Sequence, residues 1–261
     1  MPVLDAILAA TRQTLPALRD RRVELERAAL ARPVGEDFGA ALRRDQVAVI
    51  AEVKRRSPSA GAINAGLDPV ALAAAYARGG AAAISVLTDG PFFGGALADL
   101  EAVAATIATP LLRKDFILDE VQLLEARAAG ASAALLIVRA LEAEALGRLA
   151  QFAEQLGLAA VMEAHTADEV RRAVDAGARI IGVNARDLDN FSIDRTAAWR
   201  LLSQVPADLV AVAESGMATL AHVCEAAAAG ADAVLIGTAL AASSDPEAGA
   251  RSVSGVPRRG R

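Results

Sequence analysis

Two lysines stand out among the residues of this sequence that could transfer protons. The chain has 27 cationic residues, and all except Lys54 and Lys114 are arginine. Both lysines follow short aliphatic runs, in AEVK and LLRK. Arginine keeps its proton at neutral pH, whereas a lysine removed from water can release one. We therefore interpret the two lysines as candidate proton donors, with ordinary ion pairing as the alternative.

Further polar residues follow other aliphatic runs in the same way. Glu52, Glu163 and Glu214 come at the ends of three runs, and Asn184 and Arg186 follow a fourth. A carboxylate placed among cations can orient a lysine or act as a base. These residue types together predict a site that exchanges protons with its substrate.

A metal site is the alternative use of these carboxylates. It is disfavoured because neither histidine ends an aliphatic run. His165 is expected to cap a helix, and His222 is expected to lie within one. Cys224 is expected to be a small core residue. No metal and no other cofactor is predicted.

Small residues follow the last two aliphatic runs, in AESGM and LIGTA. They let backbone N–H groups approach an anion, and Ser215 and Thr238 add hydroxyl donors beside Gly216 and Gly237. Each short motif alone fits a plain tight turn. The pair in this order predicts a phosphate-binding site.

Aromatic residues are scarce, at 3% of the chain, yet two of them fall near the polar ends of the runs. Phe93 lies in the FFGG segment and Phe116 follows Lys114, while Leu135 lies in a further aliphatic run. They predict a flat apolar pocket, with core packing as the alternative.

A repeating unit predicts the elements that must position these residues. A helical segment ends in Gly, which can close a helix in the left-handed conformation, and a short aliphatic run follows. This unit occurs five times, and three further aliphatic runs lack the glycine before them. Strict alternation of strands and helices implies a parallel sheet. The predicted strands are Val47 to Lys54, Ala83 to Leu87, Leu111 to Asp115, Ala134 to Val138, Ala159 to Glu163, Arg179 to Asn184, Leu209 to Glu214 and Asp232 to Gly237.

Eight strand–helix units in 261 residues favour a (β/α)8 TIM barrel, an α/β fold, over an open doubly wound sheet. No dinucleotide or Walker motif follows any predicted strand, which also disfavours the open sheet. Active sites of such barrels lie at the carboxyl ends of the strands, where the candidate residues fall.

The two ends of the chain lie outside the repeat, and we expect one barrel domain over residues 1–261. Residues 1–45 are predicted to form one amphipathic helix, a break at Pro33–Gly35 and a short helix over Phe38 to Arg44. This extension is expected to cap the barrel bottom or to flank its mouth. Residues 251–261 are predicted to be a disordered basic tail after a short eighth helix.

Composition narrows the functional classes further. The hydrophobic fraction of 54% excludes a disordered chain, and the net charge of −5 disfavours a general nucleic-acid binder. The single cysteine fits a reducing compartment. The N-terminus does not resemble a signal peptide and no apolar run is long enough to span a membrane, so we expect a cytoplasmic protein. A monomer or weak homodimer is expected, with no membrane or nucleic-acid partner.

The motifs together resemble the indole-3-glycerol phosphate synthase family of tryptophan biosynthesis. The resemblance covers about residues 36 to 240, with the segments in the family's order. They are AEVKRRSPSAG, AISVLTDGPFFGG, LLRKDFILDEVQLLEARAAGA, LLIV, VMEAHT, IIGVNARDL, AESGM and LIGTAL.

The resemblance implies a reaction that needs no cofactor. The family converts 1-(2-carboxyphenylamino)-1-deoxyribulose 5-phosphate to indole-3-glycerol phosphate with release of carbon dioxide and water. By matching position, Lys114 would be the general acid of ring closure. Glu163 would act in the later dehydration with Lys54 as its partner, and Glu52 would orient the lysines.

The resemblance also implies how the substrate is held. Asn184 and Glu214 would hold its hydroxyl groups and the charge pattern of the site, and Arg186 would lie close to it. The phosphate would be bound by Ser57, Ser215, Gly216, Gly237 and Thr238. The anthranilate ring would lie against Pro58, Phe93, Phe116 and Leu135.

Two departures and two alternatives accompany the resemblance. Many family members carry Lys where Ala60 stands, and the C-terminal residues lack the amphipathic closing helix of the family. One alternative is a Schiff-base aldolase-type barrel enzyme that acts on a sugar phosphate through a lysine. The other is a non-catalytic barrel that binds a phosphate ligand.

Overall fold

Eight parallel strands close into a barrel in the computed structural model, which describes residues 3–58, 61–64 and 66–261. The order around the barrel follows the chain, and the last strand pairs with the first. The strands are β1 (Ala48–Val53), β2 (Ala83–Leu87), β3 (Leu111–Lys114), β4 (Ala133–Ile137), β5 (Ala159–Ala164), β6 (Ile180–Asn184), β7 (Val210–Glu214) and β8 (Ala233–Ile236). The predicted TIM barrel is confirmed.

Twelve helices accompany these strands in the part of the chain that the structure describes. They are α1 (Val3–Asp20), α2 (Arg22–Ala31), α3 (Phe38–Leu42), α4 (Pro69–Arg78), α5 (Leu97–Ala104), α6 (Glu120–Ala128), α7 (Ala143–Gln155), α8 (Ala167–Asp175), α9 (Arg195–Leu202), α10 (Leu220–Ala228), α11 (Thr238–Ala241) and α12 (Pro246–Ser252). A single 3-10 turn, Val138–Ala140, follows β4, and Arg56–Ser57 pairs with Gly61–Ala62 as a short hairpin after β1.

Local sequence explains where these helices begin and end. Asp68 and Asp119 accept hydrogen bonds from backbone N–H groups in the first turns of α4 and α6, which satisfies donors that a helix start leaves free. The turns after α6 and α10 contain Gly130 and Gly230, each with φ of 94°. Glycine takes this conformation without steric cost, so the chain can turn directly into the next strand.

The strand residues alternate between two packed cores. Ile50, Leu112, Leu135 and Val212 point into the barrel, whereas their neighbours in sequence pack against the surrounding helices. Because side chains alternate along a strand, the same inward rows continue to the carboxyl ends. Residues at those ends therefore face a common space.

The N-terminal extension occupies both positions that the sequence predicts for it. Phe38 and Leu42 of α3 are buried among the first residues of the strands, at the barrel bottom. Helix α1 packs Leu4 and Leu8 in the same apolar cluster as Phe116 near the mouth. The single helix predicted before Pro33 is instead two helices, since the chain leaves helical geometry at Arg21.

The C-terminal residues differ from the predicted disordered tail. Short helix α12 packs against α4, and the segment after it pairs with the chain before β1 through Gln46 and Pro257. Val253 and Val256 are buried. The low apolar content of this segment is why its sequence predicts disorder, whereas arginine hydrogen bonds supply much of its anchoring in the structure.

Arg261 is the main anchor of this segment, and its side chain is only 6% exposed. Its guanidinium donates to the Asp232 carboxylate at 2.9 Å and to the Val205 carbonyl at 3.1 Å. It also donates to the carbonyl of Gly230. Arg258 binds the other oxygen of Asp232 at 3.0 Å.

Two other features of the described residues bear on the sequence analysis. Cys224 is exposed on α10, so the prediction of a core cysteine is wrong. Its position lies one residue after Val223, which takes the buried face of the helix. None of the helices described is both long and apolar enough to cross a membrane.

Candidate active site

The carboxyl ends of the strands surround a cavity of about 690 Å³ at the barrel mouth. Every candidate residue of the sequence analysis lines it, with the exception of Asn184. The lining candidates are Glu52, Lys54, Ser57, Pro58, Phe93, Lys114, Phe116, Leu135, Glu163, Arg186, Glu214, Ser215, Gly216, Gly237 and Thr238. Ala60 lies outside the described residues.

Lys114 lies at the centre of the charged part of this cavity. Its Nζ is 2.6 Å from Oε2 of Glu163 and 3.0 Å from Oε2 of Glu214. The lysine side chain is 13% exposed, whereas the two carboxylates are almost fully buried. One ammonium group therefore serves two carboxylates where little water reaches.

This arrangement fixes the charge of the lysine. Burial alone lowers the pKa of Lys114. The carboxylates of Glu163, Glu214 and Glu52 raise this pKa by more than burial lowers it, so the net shift is upward. Lys114 is consequently an ammonium ion in the free site and holds a proton to donate.

The two carboxylates that share Lys114 differ in acidity. Burial raises the pKa of Glu163, yet Lys114 and His165 outweigh it and bring the value to about 2. Burial raises the pKa of Glu214 to about 7, and the adjacent Glu163 carboxylate adds to the effect of burial against that of Lys114. Glu163 is thus the anion of the pair, and Glu214 is the one that takes a proton near neutral pH.

The second lysine has its own carboxylate. Lys54 Nζ is 2.5 Å from Oε1 of Glu52, and both side chains are largely buried. A Cβ added to Gly237 would lie 2.1 Å from this Glu52 oxygen and 3.0 Å from Lys54 Nζ. Glycine at this position leaves room for the Glu52–Lys54 pair, a role that the sequence analysis did not predict.

A second glycine makes the same kind of room for Glu214. A Cβ on Gly182 of β6 would lie 2.1 Å from Oε1 of Glu214. The sequence analysis missed Gly182, although its pattern held a signal, since Gly182 is two residues before Asn184 and shares its inward row.

Asn184 supports Glu163 and is not among the residues lining the cavity. Its Nδ2 donates to Oε1 of Glu163 at 3.0 Å, and its Oδ1 accepts the backbone N–H of Arg186 at 3.0 Å. The prediction that Asn184 holds a substrate hydroxyl therefore remains a prediction, and in this structure its amide holds Glu163.

Backbone geometry distinguishes the loop after β7. Ser215 has φ of 67° and Gly216 has φ of 75°, so two consecutive residues are left-handed. A non-glycine residue rarely adopts this conformation, and such strain occurs at functional sites. Thr238 begins the short helix α11, which follows the neighbouring strand β8. The loops after β7 and β8 both open into the cavity.

Apolar side chains form the wall near β2, β3 and β4. The rings of Phe93 and Phe116 lie with centroids 6.0 Å apart and planes tilted by 34°, beside the buried Leu135. The backbone N–H of Phe93 donates to Asp89 at 3.0 Å, which fixes the loop that carries the ring.

The loop after β6 contributes residues that sequence reasoning missed. Leu188, Phe191 and Ile193 line the cavity, and Arg186 pairs with Ile193 across this loop. Arg186 also donates to the carbonyl of Phe191 at 3.2 Å. Nothing in the residue pattern separated these apolar residues from ordinary loop packing.

His165 does not cap the helix that follows it. Thr166 is the cap of α8, and its hydroxyl accepts the N–H of Glu169. The ring of His165 is instead buried behind Glu163. Among the residues described, no group of histidine, cysteine and acidic side chains could hold a metal ion.

Comparison with known proteins matches the chain to an enzyme family over nearly its whole length. The family model of indole-3-glycerol phosphate synthase matches residues 4–253. The indole-3-glycerol phosphate synthase of Streptomyces griseus subsp. griseus is 53% identical over 252 residues, covering 95% of this chain and 93% of the relative. That of Mycobacterium ulcerans is 48% identical over 249 residues, covering 94% and 91%.

Solved structures of lower identity share the fold. A 3-hexulose-6-phosphate synthase has a TM-score of 0.65 at 15% identity, covering 79% of this chain and 98% of its own. A mutant tryptophan synthase alpha-subunit from Pyrococcus furiosus has a TM-score of 0.62 at 14% identity, covering 80% and 98%. At these identities the likeness is one of fold alone.

Proposed function

The chain belongs to the indole-3-glycerol phosphate synthase family, and we propose that its cavity carries out the family's reaction with the candidate residues in defined roles. The reaction is a carboxy-lyase step of tryptophan biosynthesis, in which 1-(2-carboxyphenylamino)-1-deoxyribulose 5-phosphate yields indole-3-glycerol phosphate, carbon dioxide and water. The observation that carries the assignment of roles is the ammonium group of Lys114 between Glu163 and Glu214 inside the cavity.

The substrate has three parts, and the cavity offers a surface for each. The left-handed loop at Ser215 and Gly216 and the start of α11 at Thr238 suit the phosphate, which barrels of this kind commonly bind after strands seven and eight. We assign Ser57 and Gly237 to the same end. The opposite wall of Phe93 and Phe116, with Pro58 and Leu135, suits the aromatic ring.

Ring closure is assigned to Lys114. The ring carbon that bears the carboxylate attacks the ketone carbon of the ribulose chain, and Lys114 donates a proton to the ketone oxygen. Loss of carbon dioxide then restores the aromatic ring. The low exposure of Lys114 favours this proton donation, because water stabilises its ammonium charge less at such a position.

Dehydration is assigned to Glu163 and Lys54. The hydroxyl formed in the first step leaves as water, a carbon-bound proton is removed, and the pyrrole ring becomes aromatic. Glu163 is the buried anion of the site, while Lys54 is held at the mouth by Glu52. Glu214 and Asn184 maintain the charge and orientation of this group, and Arg186 faces the substrate from the loop after β6.

A Schiff-base aldolase needs a neutral amine as nucleophile. Lys114 is an ammonium ion hydrogen-bonded to two carboxylates, and the net shift of its pKa is upward. This environment favours proton donation over imine formation, so the synthase roles fit the geometry better than the aldolase alternative.

These roles are tested by measuring turnover of the carboxyphenylamino substrate in the presence of a chelator. The indole product is detected by its fluorescence. Lys114→Ala is expected to lower kcat by a factor on the order of 10³, as loss of a general acid does. The matched control is Arg179→Ala, which removes one cation from an exposed ion pair with Glu154, and it should keep full activity. Lys114→Ala with near wild-type turnover would overturn the assignment.

The partner proposed for the cavity is a small phosphorylated molecule. We further propose a cytoplasmic monomer or weak homodimer that uses neither a nucleic acid nor a membrane. This is supported by the fact that all the side chains given roles line one cavity, or contact a side chain that does, within a single chain. Sedimentation at micromolar concentration tests the oligomeric state, and a stable tetramer would contradict it.

A further inference from the structure

His165 lies next to Glu163, near the carboxylate oxygen that Lys114 does not bind. It follows β5 and is two residues after Glu163, so both side chains lie on the same face of the extended chain. Nε2 of His165 is 3.6 Å from Oε1 of Glu163, whereas Lys114 binds Oε2. The histidine side chain is 7% exposed and is not part of the cavity wall.

The ring of His165 is held from its other side. Its Nδ1 is 3.3 Å from Oε2 of Glu169, and the same oxygen accepts the backbone N–H of His165 at 2.7 Å. Arg139 donates to the other oxygen of Glu169 at 3.3 Å. Glu169 is itself buried at the start of α8. The ring is therefore fixed with Nε2 directed at Glu163.

Nε2 is a buried nitrogen, and none of the residues that the structure describes offers it a hydrogen bond within normal distance. Such a group is costly unless a partner comes within reach. The nearest acidic group is the Glu163 carboxylate, and a movement of about half an ångström would bring it to hydrogen-bond distance. Tightening of this kind on substrate binding is common in active sites.

We propose that His165 is a positioning residue that holds the Glu163 carboxylate in place and keeps it ionised while Lys114 acts on the substrate. This inference rests on the proposed function. In the free site, Lys114 is the main cation on Glu163. When Lys114 gives its proton to the substrate, Glu163 loses that cation just before the dehydration that uses it. His165, held by Glu169, then supplies a donor that can carry positive charge, beside the neutral amide of Asn184.

Charged groups around the ring set how this contact depends on pH. Glu163 and Glu169 face it from β5 and α8, while Arg139 and Asp187 approach from the turns after β4 and β6. Burial lowers the pKa of His165, but the two glutamates raise it more, so the net shift is upward. The imidazole thus gains a proton more readily than a free histidine does.

The test uses two amides that reach different distances. In His165→Gln, the amide nitrogen reaches the place of Nε2, and in His165→Asn it reaches only that of Nδ1. His165→Asn should lower kcat about tenfold or more with KM within about twofold, since a hydrogen bond to a charged group is worth roughly that factor. His165→Gln should recover most of the loss. In the Asn variant, the acidic limb of the kcat profile should move to higher pH.

Two further variants lie on helix α8, one that should act like His165→Asn and one that is its matched control. Glu169→Gln removes the charge that holds the ring and should shift the acidic limb in the same direction. Asp168→Asn removes the neighbouring charge, which belongs to an exposed pair with Arg171, and should change neither kcat nor the limb. Equal losses of kcat in His165→Asn and His165→Gln, with an unmoved limb, would overturn the inference.

Carbon-13 spectra of the Glu163 carboxyl separate this inference from the proposed function. The carboxyl should titrate at higher pH in His165→Asn than in the wild type, whether or not the protein turns over the substrate. Wild-type protein without turnover would contradict the proposed function. Unchanged titration of Glu163 in His165→Asn would contradict the role of His165 even in an active enzyme.

Discussion

Two glycines set the positions of the buried carboxylates at the mouth. Gly182 lies against Glu214, and Gly237 lies against Glu52 and Lys54. In both cases a methyl group would occupy the place of a carboxylate oxygen. Close packing of the barrel interior leaves the displaced carboxylate little room to move.

Gly182→Ala should therefore impair activity more than folding. The added methyl displaces Glu214 from Lys114, and we expect kcat to fall between about tenfold and a hundredfold with a stability loss of about 1–3 kcal/mol. Gly147→Ala is the matched control, because its Cβ meets open space within helix α7. That control should keep kcat and gain up to about 1 kcal/mol. Kinetics and urea unfolding measure both; an unchanged kcat in Gly182→Ala would contradict the steric role of the glycine.

Glu214 makes stability depend on pH in a direction that can be checked. Its pKa is raised from 4.5 to about 7 in the folded protein. A carboxyl with a raised pKa contributes fully below its unfolded value, and that contribution is lost as pH rises through 7. At about 1.4 kcal/mol per unit, the loss between pH 4.5 and 8 is roughly 3 kcal/mol.

Glu214→Gln removes this loss. The free energy of unfolding of the variant, relative to the wild type, should increase as the pH rises from 4.5 to 8. Urea unfolding at several pH values gives the difference directly. A difference that stays flat would show that Glu214 titrates in the native protein as it does in the unfolded chain, and one that decreases with pH would show that it is ionised throughout this range.

At the level of elements, the alternation of strand residues assembles the site. Glu52, Glu163 and Glu214 continue the inward rows of β1, β5 and β7 beyond the apolar core. The register then brings strands together, with Glu163 opposite Gly182 and Asn184 opposite Glu214. The same rows that build the apolar interior thus deliver the polar groups to one place.

The C-terminal segment serves the opposite end of the barrel. Arg261 and Arg258 bind Asp232, which also accepts the backbone N–H of Ala211 at 2.8 Å. These contacts join the chain end to the starts of β7 and β8. They lie away from the cavity, so the segment should act on stability and not on turnover.

Arg261→Ala is expected to lower the free energy of unfolding by about 3 kcal/mol, since it removes the buried cation from Asp232 and takes away the donor that several carbonyl groups share. Its kcat at 25 °C should equal that of the wild type. Arg259→Ala changes an exposed neighbour and should shift stability by less than about 0.5 kcal/mol. Equal stability of the two variants would show that the chain end does not anchor the barrel.

For the whole molecule, the sequence predicts the barrel and the contents of its mouth. Short aliphatic runs, five of them after helix-ending glycines, locate all eight strands to within about two residues, because strands buried on both faces need continuous apolar sequence. Lys54 and Lys114 are identified because every other cationic residue of the chain is arginine. Fifteen candidate residues share one cavity.

Other features depend on three-dimensional packing that no local pattern reveals. Cys224 and Val223 are adjacent on one helix, yet only the valine faces the core. The anchoring of Arg261 depends on carbonyl groups some 30 to 56 residues away in the chain. Gly182 in a strand indicates a close approach, but only the three-dimensional structure shows that the approaching group is the Glu214 carboxylate.

The most direct test of the proposed chemistry is the stoichiometry of the wild-type reaction. Purified protein, the carboxyphenylamino deoxyribulose phosphate and a chelator are mixed, and carbon dioxide and indole product are counted together, with borohydride added to a parallel sample. The proposed mechanism predicts one carbon dioxide for each indole-3-glycerol phosphate and no covalent adduct on Lys114 or Lys54. A trapped adduct, or substrate binding without carbon dioxide release, would contradict it.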